Sequence, residues 1–108
     1  MAQLANEQIN ATALIDNLVK RSRAAQSSLG KCDFNKRRAA LQAAATAIRA
    51  QRAAILDANI EDVARANANG ISGAFLDRLT LDEARIESMA TGLEAITKLP
   101  DPVGAKLA

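Results

Sequence analysis

Alanine is the commonest residue in this chain, and strand-favouring side chains are scarce beside it, with Phe34 and Phe75 the only aromatics. Alanine ranks first in helix propensity, whereas sheets draw on aromatic and β-branched residues. The chain is therefore predicted to be all-α, a small bundle of about four to five helices. Alanine also limits how firmly such a bundle holds together. Apolar burial contributes about 25 cal/mol per Å², and a methyl group offers little area. The 108 residues make one domain at most. Its core is expected to be thin, and stability to gain from a partner surface.

The apolar spacing divides the chain into helices. Residues 9–28 form the first, with Ile15, Leu18, Val19, Ser22, Ala25 and Leu29 on one face, and Leu29-Gly30 reads as its stop. Asp33 is placed to cap a second, on which Phe34, Leu41, Ile48 and Ile55 recur at sevens among small residues. That spacing suits a helix inside a bundle better than a coiled coil. Asn59 reads as the cap of a third helix whose face is Ile60, Val63, Ala64 and Asn67, ending at Gly70. Ser72 can open a short helix through Phe75 and Leu76 to Leu79. Thr80-Leu81-Asp82-Glu83 fits a capping box before a last helix aligned on Ile86, Met89, Ala90, Leu93 and Ile96. Pro100 and Pro102 end it, and residues 103–107 read as the start of an extended strand.

Histidine is absent, which excludes any Ser-His or Cys-His pair and any imidazole ligand within the chain. The single Cys32 allows no internal disulfide and fits a reducing, cytoplasmic compartment. Asn6 and Glu7 interrupt the N-terminus where a signal peptide needs apolar residues, and no segment has the length of a membrane span. The net charge of +2 is divided into a basic first half and an acidic second half. No series of aromatics interleaves the basic residues to stack bases, so charge attraction between helices is preferred to nucleic-acid binding.

Few residues invite a chemical role. Cys32 lies near Lys31 and Lys36, but no oxyanion site accompanies it, so it reads as an incidental thiol. Gly70-Ile71-Ser72-Gly73 lacks the pattern of a phosphate loop. Asp77 and Arg78 read as a tie between helices; the competing reading has Arg78 or Arg85 attracting an anionic substrate, since guanidinium grips carboxylate and phosphate in two-point fashion. Asn59 is accounted for as a cap.

Three motifs carry more. Ala58-Asn59-x-x-Asp62-Val63, Leu76-Asp77-Arg78-Leu79 and Leu99-Pro100-Asp101-Pro102-Val103-Gly104 follow one another in an order and spacing that resembles the N-terminal region of the gamma-glutamyl phosphate reductase family, the glutamate-5-semialdehyde dehydrogenases. The resemblance extends through residues 18–104. It implies the N-terminal part of an aldehyde-dehydrogenase-like α/β enzyme of proline biosynthesis, which reduces gamma-glutamyl phosphate with NADPH through a thioester on a cysteine of a later domain. It also implies a layout: a frayed start at 1–8, a helical segment at 9–99, and an extended lead-in at 100–108 toward a nucleotide-binding domain. No catalytic, cofactor-binding or metal position carries over, so the chain alone is expected to be an inactive fragment that binds no NADPH. Met89 and Leu93 join Arg78 and Arg85 as candidates for the substrate side, by analogy with the corresponding tunnel-lining helix. The alternative is a free-standing helical interaction module. In either case an apolar face left bare is expected to drive self-association.

Overall fold

A computed structural model describes the backbone of residues 2–106 and the side chains of residues 10–106. Among the described residues five helices follow in order: α1 (Ala2–Lys31), α2 (Phe34–Ala50), α3 (Arg52–Ala68), α4 (Ala74–Leu79) and α5 (Glu83–Ile96). No strand occurs among the described residues. The all-α expectation holds. The chain divides into two compact units, Met1–Arg37 and Arg38–Ala108.

The first unit holds α1 and the opening turn of α2. α1 starts ahead of the expected position near residue 9, and residues 2–8, expected to fray, have helical backbone. Alanine, leucine, glutamine and glutamate dominate that stretch, with no breaker among them. Gly30 also fails to stop the helix. A glycine inside a helix costs only about 1 kcal/mol relative to alanine, and α1 continues through it to Lys31. The backbone then turns, with the Cys32 N–H donating to the Leu29 carbonyl at 3.1 Å. Asp33 caps α2 as expected, its Oδ1 accepting from the Lys36 N–H at 2.8 Å.

In the second unit, the helix expected to run to Ile55 is broken at Gln51. The break is slight: Gln51 has φ −98° and ψ 14°. Its N–H still donates to Ala47, and its carbonyl still accepts from Ile55. α3 thus begins at Arg52, and Asn59, expected as its cap, lies in its interior. The end of α3 is the expected one. Gly70 takes φ +82°, its N–H donates to Asn67 at 3.1 Å, and the Ile71 N–H reaches back to Ala66 at 3.0 Å. Those paired bonds satisfy carbonyls the helix end would leave free.

Two further caps differ from expectation. α4 is opened by Gly73 rather than Ser72, at φ +63° and ψ −136°, a conformation nearly reserved for glycine. α5 is capped by Asp82, whose carboxylate accepts from the Arg85 N–H at 2.7 Å. The Thr80–Glu83 capping box does not form, because Thr80 closes α4, its Oγ1 donating to the Leu76 carbonyl at 2.7 Å. After α5 the expected extended run is replaced by a turn: the Ala105 N–H donates to Pro102, and Gly104 takes φ +78°. Leu107 and Ala108, part of that expected run, lie outside the described residues.

α3 packs against α4 and α5. Among the described residues the buried apolar ones are Ala45, Ala66, Ile86 and Ala90, of which only Ile86 is large. The core is as thin as the alanine content implies. The inward face of α3 is not the expected one. Ile55, Leu56, Asn59, Val63 and Ala66 turn inward, while Ile60 remains 66% exposed. On α5, Ile86 and Ala90 are buried and Leu93 half-buried, with Thr97 buried just past its end, whereas Met89 and Ile96 flank the contact in the open.

Candidate functional site

The polar chemistry of the second unit concentrates where α3, α4 and α5 converge. Asn59 is 8% exposed, at a position of the α3 stripe that an apolar residue would otherwise fill. A buried carboxamide must be hydrogen-bonded to be tolerated. Its Nδ2 donates to the Leu79 carbonyl at 2.9 Å, and its Oδ1 accepts from the Leu81 N–H at 2.8 Å. Both partners belong to the link between α4 and α5, where the backbone has left one helix and not yet entered the next. Asn59 therefore serves those groups as a third segment would, and fixes the link onto α3.

Arg85 closes the same link from the other side. Its guanidinium donates to the Asp77 and Thr80 carbonyls and to both Asp77 carboxylate oxygens at 3.1 and 3.2 Å. The tie expected at Asp77–Arg78 is thus made by Asp77 and Arg85. Arg78 instead lies over the Phe75 ring, 6.0 Å from its centroid. Of the four residues expected on the substrate side, Arg85 is engaged within the fold and Leu93 is half-buried. Arg78 is exposed, and Met89 is 47% exposed.

A second cluster joins α2, α3 and α5. The Arg49 guanidinium donates to Glu87 through Nε and Nη2 and to Glu94 through Nη2 at 2.6 Å, while Arg52 adds a bond to Glu87 at 3.3 Å. Glu87 and Glu94 are two turns apart on one side of α5, so a single arginine can hold both. The hydrogen bonds from Arg49 hold both carboxyls below their ordinary range and raise the arginine further. All members are partly exposed, so the cluster orients helices more than it stabilises them.

An open hollow of about 280 Å³ adjoins Asn59, lined by Ile60, Val63, Ala64, Asn67, Leu76 and Leu81 among others. Its walls are mainly apolar, with no titratable side chain among them, and the Thr80 hydroxyl in its lining already donates to the Leu76 carbonyl. Cys32 donates its thiol to the Ser28 carbonyl at 3.4 Å. Among the described residues no group of three Cys, Asp or Glu gathers in a metal-binding arrangement, and no helix is long and apolar enough to cross a membrane.

Sequence reasoning missed the bridging role of Asn59 and the Arg49 cluster. A signal existed for each. Asn59 interrupts an otherwise apolar inward stripe, and Glu87 and Glu94 repeat at seven opposite two arginines three residues apart. Neither signal can be read without knowing that α3 begins at Arg52.

No family model matches the chain. Curated proteins do. It is 55% identical over 95 residues to the gamma-glutamyl phosphate reductase of Rhizorhabdus wittichii, covering 88% of this chain and 22% of that protein. It is 59% identical over 69 residues to that of Caulobacter vibrioides (64% of this chain, 17% of that protein). With that of Afipia carboxidovorans it shares 43% over 103 residues (95% and 24%). The chain spans about a fifth of the length of the curated relatives it matches.

Proposed function

We propose, starting from a chain that corresponds to the N-terminal segment of gamma-glutamyl phosphate reductases, that it is the helical lead segment of such an enzyme and not its reactive part. The complete reaction is the reduction of gamma-glutamyl phosphate to glutamate-5-semialdehyde: hydride from NADPH reaches the acyl carbon and inorganic phosphate leaves. The chain's own contribution is architectural. Asn59 and Arg85 lock the α4–α5 link onto α3, and the Arg49 cluster sets α5 against α2 and α3. These contacts supply a rigid surface on which the remaining four-fifths of a reductase can be positioned.

The observation that carries this reading is identity of 43% to 59% to proteins named gamma-glutamyl phosphate reductase, over about a fifth of their length. Arg85 is read as a positioning residue, because its donors are already engaged. Arg78, which lies over the Phe75 ring, and Met89 are the exposed candidates for meeting the rest of the enzyme. We assign the cytoplasm as its compartment, in keeping with the free thiol of Cys32. The test is direct. The purified chain, given gamma-glutamyl phosphate and NADPH, should oxidise no NADPH above the uncatalysed background and give no heat of NADPH binding in titration calorimetry. Turnover by the isolated chain would overturn the reading.

A further inference from the structure

α1 carries a long apolar face. All of residues 10–31 are exposed, and Leu14, Ile15, Leu18, Val19 and Leu29 keep 47% to 59% of their surface free. Along this face Ala11, Ile15, Leu18, Ser22, Ala25 and Leu29 succeed one another at intervals of four, three, four, three and four. That is the 3.5-residue period of a coiled-coil seam.

We infer that α1 pairs antiparallel with α1 of a second copy of this chain. The seam is complementary to itself in one arrangement. Reversed and set with Leu18 against Ser22 of the second copy, it also puts Ile15 against Ala25 and Leu29 against Ala11. Every layer then joins one large side chain to one small one, and the layers fill evenly. A parallel pair would place Leu18 against Leu18 and Ala25 against Ala25, alternating crowded layers with voids, each void costing contact. The antiparallel pair also opposes the two helix dipoles. Lys20 and Arg23 lie off the seam, so most of the helix's positive charge stays in water. Arg21 flanks the seam near the two-fold axis and meets its own copy, a like-charge contact that salt relieves. Five side chains about half free, mirrored in the second copy, approach the roughly 1,000 Å² that a specific interface needs. Such an interface is at the weak end, with dissociation in the micromolar range. The inference is independent of the reductase reading.

Sedimentation equilibrium of the 108-residue chain across micromolar concentrations should show a monomer–dimer equilibrium that tightens as salt is raised. Leu18→Glu should raise the dissociation constant at least tenfold, about 1.4 kcal/mol, while Ile60→Glu, at an exposed site on α3, leaves it unchanged. Arg21→Gln should tighten the dimer and abolish its salt dependence, which guards against a Leu18 variant that fails to fold. Thr12→Cys in a Cys32→Ser background, spin-labelled, reports orientation. The antiparallel pair puts the two labels about 25 Å apart, the parallel pair about 10 Å. A monomer at every concentration would overturn the inference and leave α1 to the remainder of a longer reductase chain. A dimer indifferent to Leu18→Glu, or the short label distance, would also overturn it.

Discussion

Asn59→Leu keeps the side chain's bulk and removes both of its hydrogen bonds, leaving the Leu79 carbonyl and the Leu81 N–H without that partner. Losing a partner in a buried setting costs about 1–3 kcal/mol. Urea denaturation followed by circular dichroism should show a loss of that size; a change within error would mean that water serves the link as well as Asn59 does. Arg49 sets a pH dependence. Because it holds Glu87 and Glu94 below the ordinary carboxylate value of 4.5, the folded state favours their ionised forms. The stability they add is full above the unfolded value and is lost as pH falls through the folded values. Stability should therefore decline below about pH 4.5, and Arg49→Gln should flatten that part of the decline. Equal slopes in the two proteins would mean that the cluster has no part in the acid response. Sequence alone showed Asn59 as a polar residue next to Ile60 with Asp62 following, which is also what a cap looks like. Its true role depends on a neighbour about twenty residues away.

At the scale of elements, glycines separate what was legible from what was not. Gly70 stops α3 as its sequence setting implied, because a positive φ is needed there and glycine supplies it without strain. Gly30 resembles a stop and is not one. Gly30→Ala should stabilise α1 by about 0.5–1 kcal/mol, since an added Cβ meets nothing within 4 Å and a helix interior prefers alanine. Gly73→Ala should destabilise by about 1–3 kcal/mol although space is equally open, because φ +63° with ψ −136° strains any residue with a Cβ. Thermal melts of the two variants should shift in opposite directions, and shifts of the same sign would contradict these backbone roles. The break at Gln51 could not be read. It rests on a change in ψ that demands no glycine, proline or cap, and the seven-residue apolar spacing passes through it. Misplacing that boundary displaced the expected face of α3, and with it the site built around Asn59. The Asp33 cap, governed by local chemistry, was legible.

For the molecule as a whole, the alanine content foretold both the helical class and the thin core, in which Ile86 is the one large side chain fully enclosed among the described residues. A core of that size suits a segment held in place by more protein. The absence of histidine narrowed the possible chemistry on composition alone, and the three motifs pointed to the reductases that the curated relatives then named. What matters most is whether these helices can serve a reductase without supplying its reactive groups. The steady-state rate of NADPH oxidation with gamma-glutamyl phosphate decides this for a chimera in which the chain replaces the matching segment of a relative 55% identical to it. A kcat/KM within about tenfold of the parent enzyme is expected, no more than about 1.4 kcal/mol of lost transition-state stabilisation. A chimera that folds and assembles as the parent does, yet turns over no substrate, would contradict it.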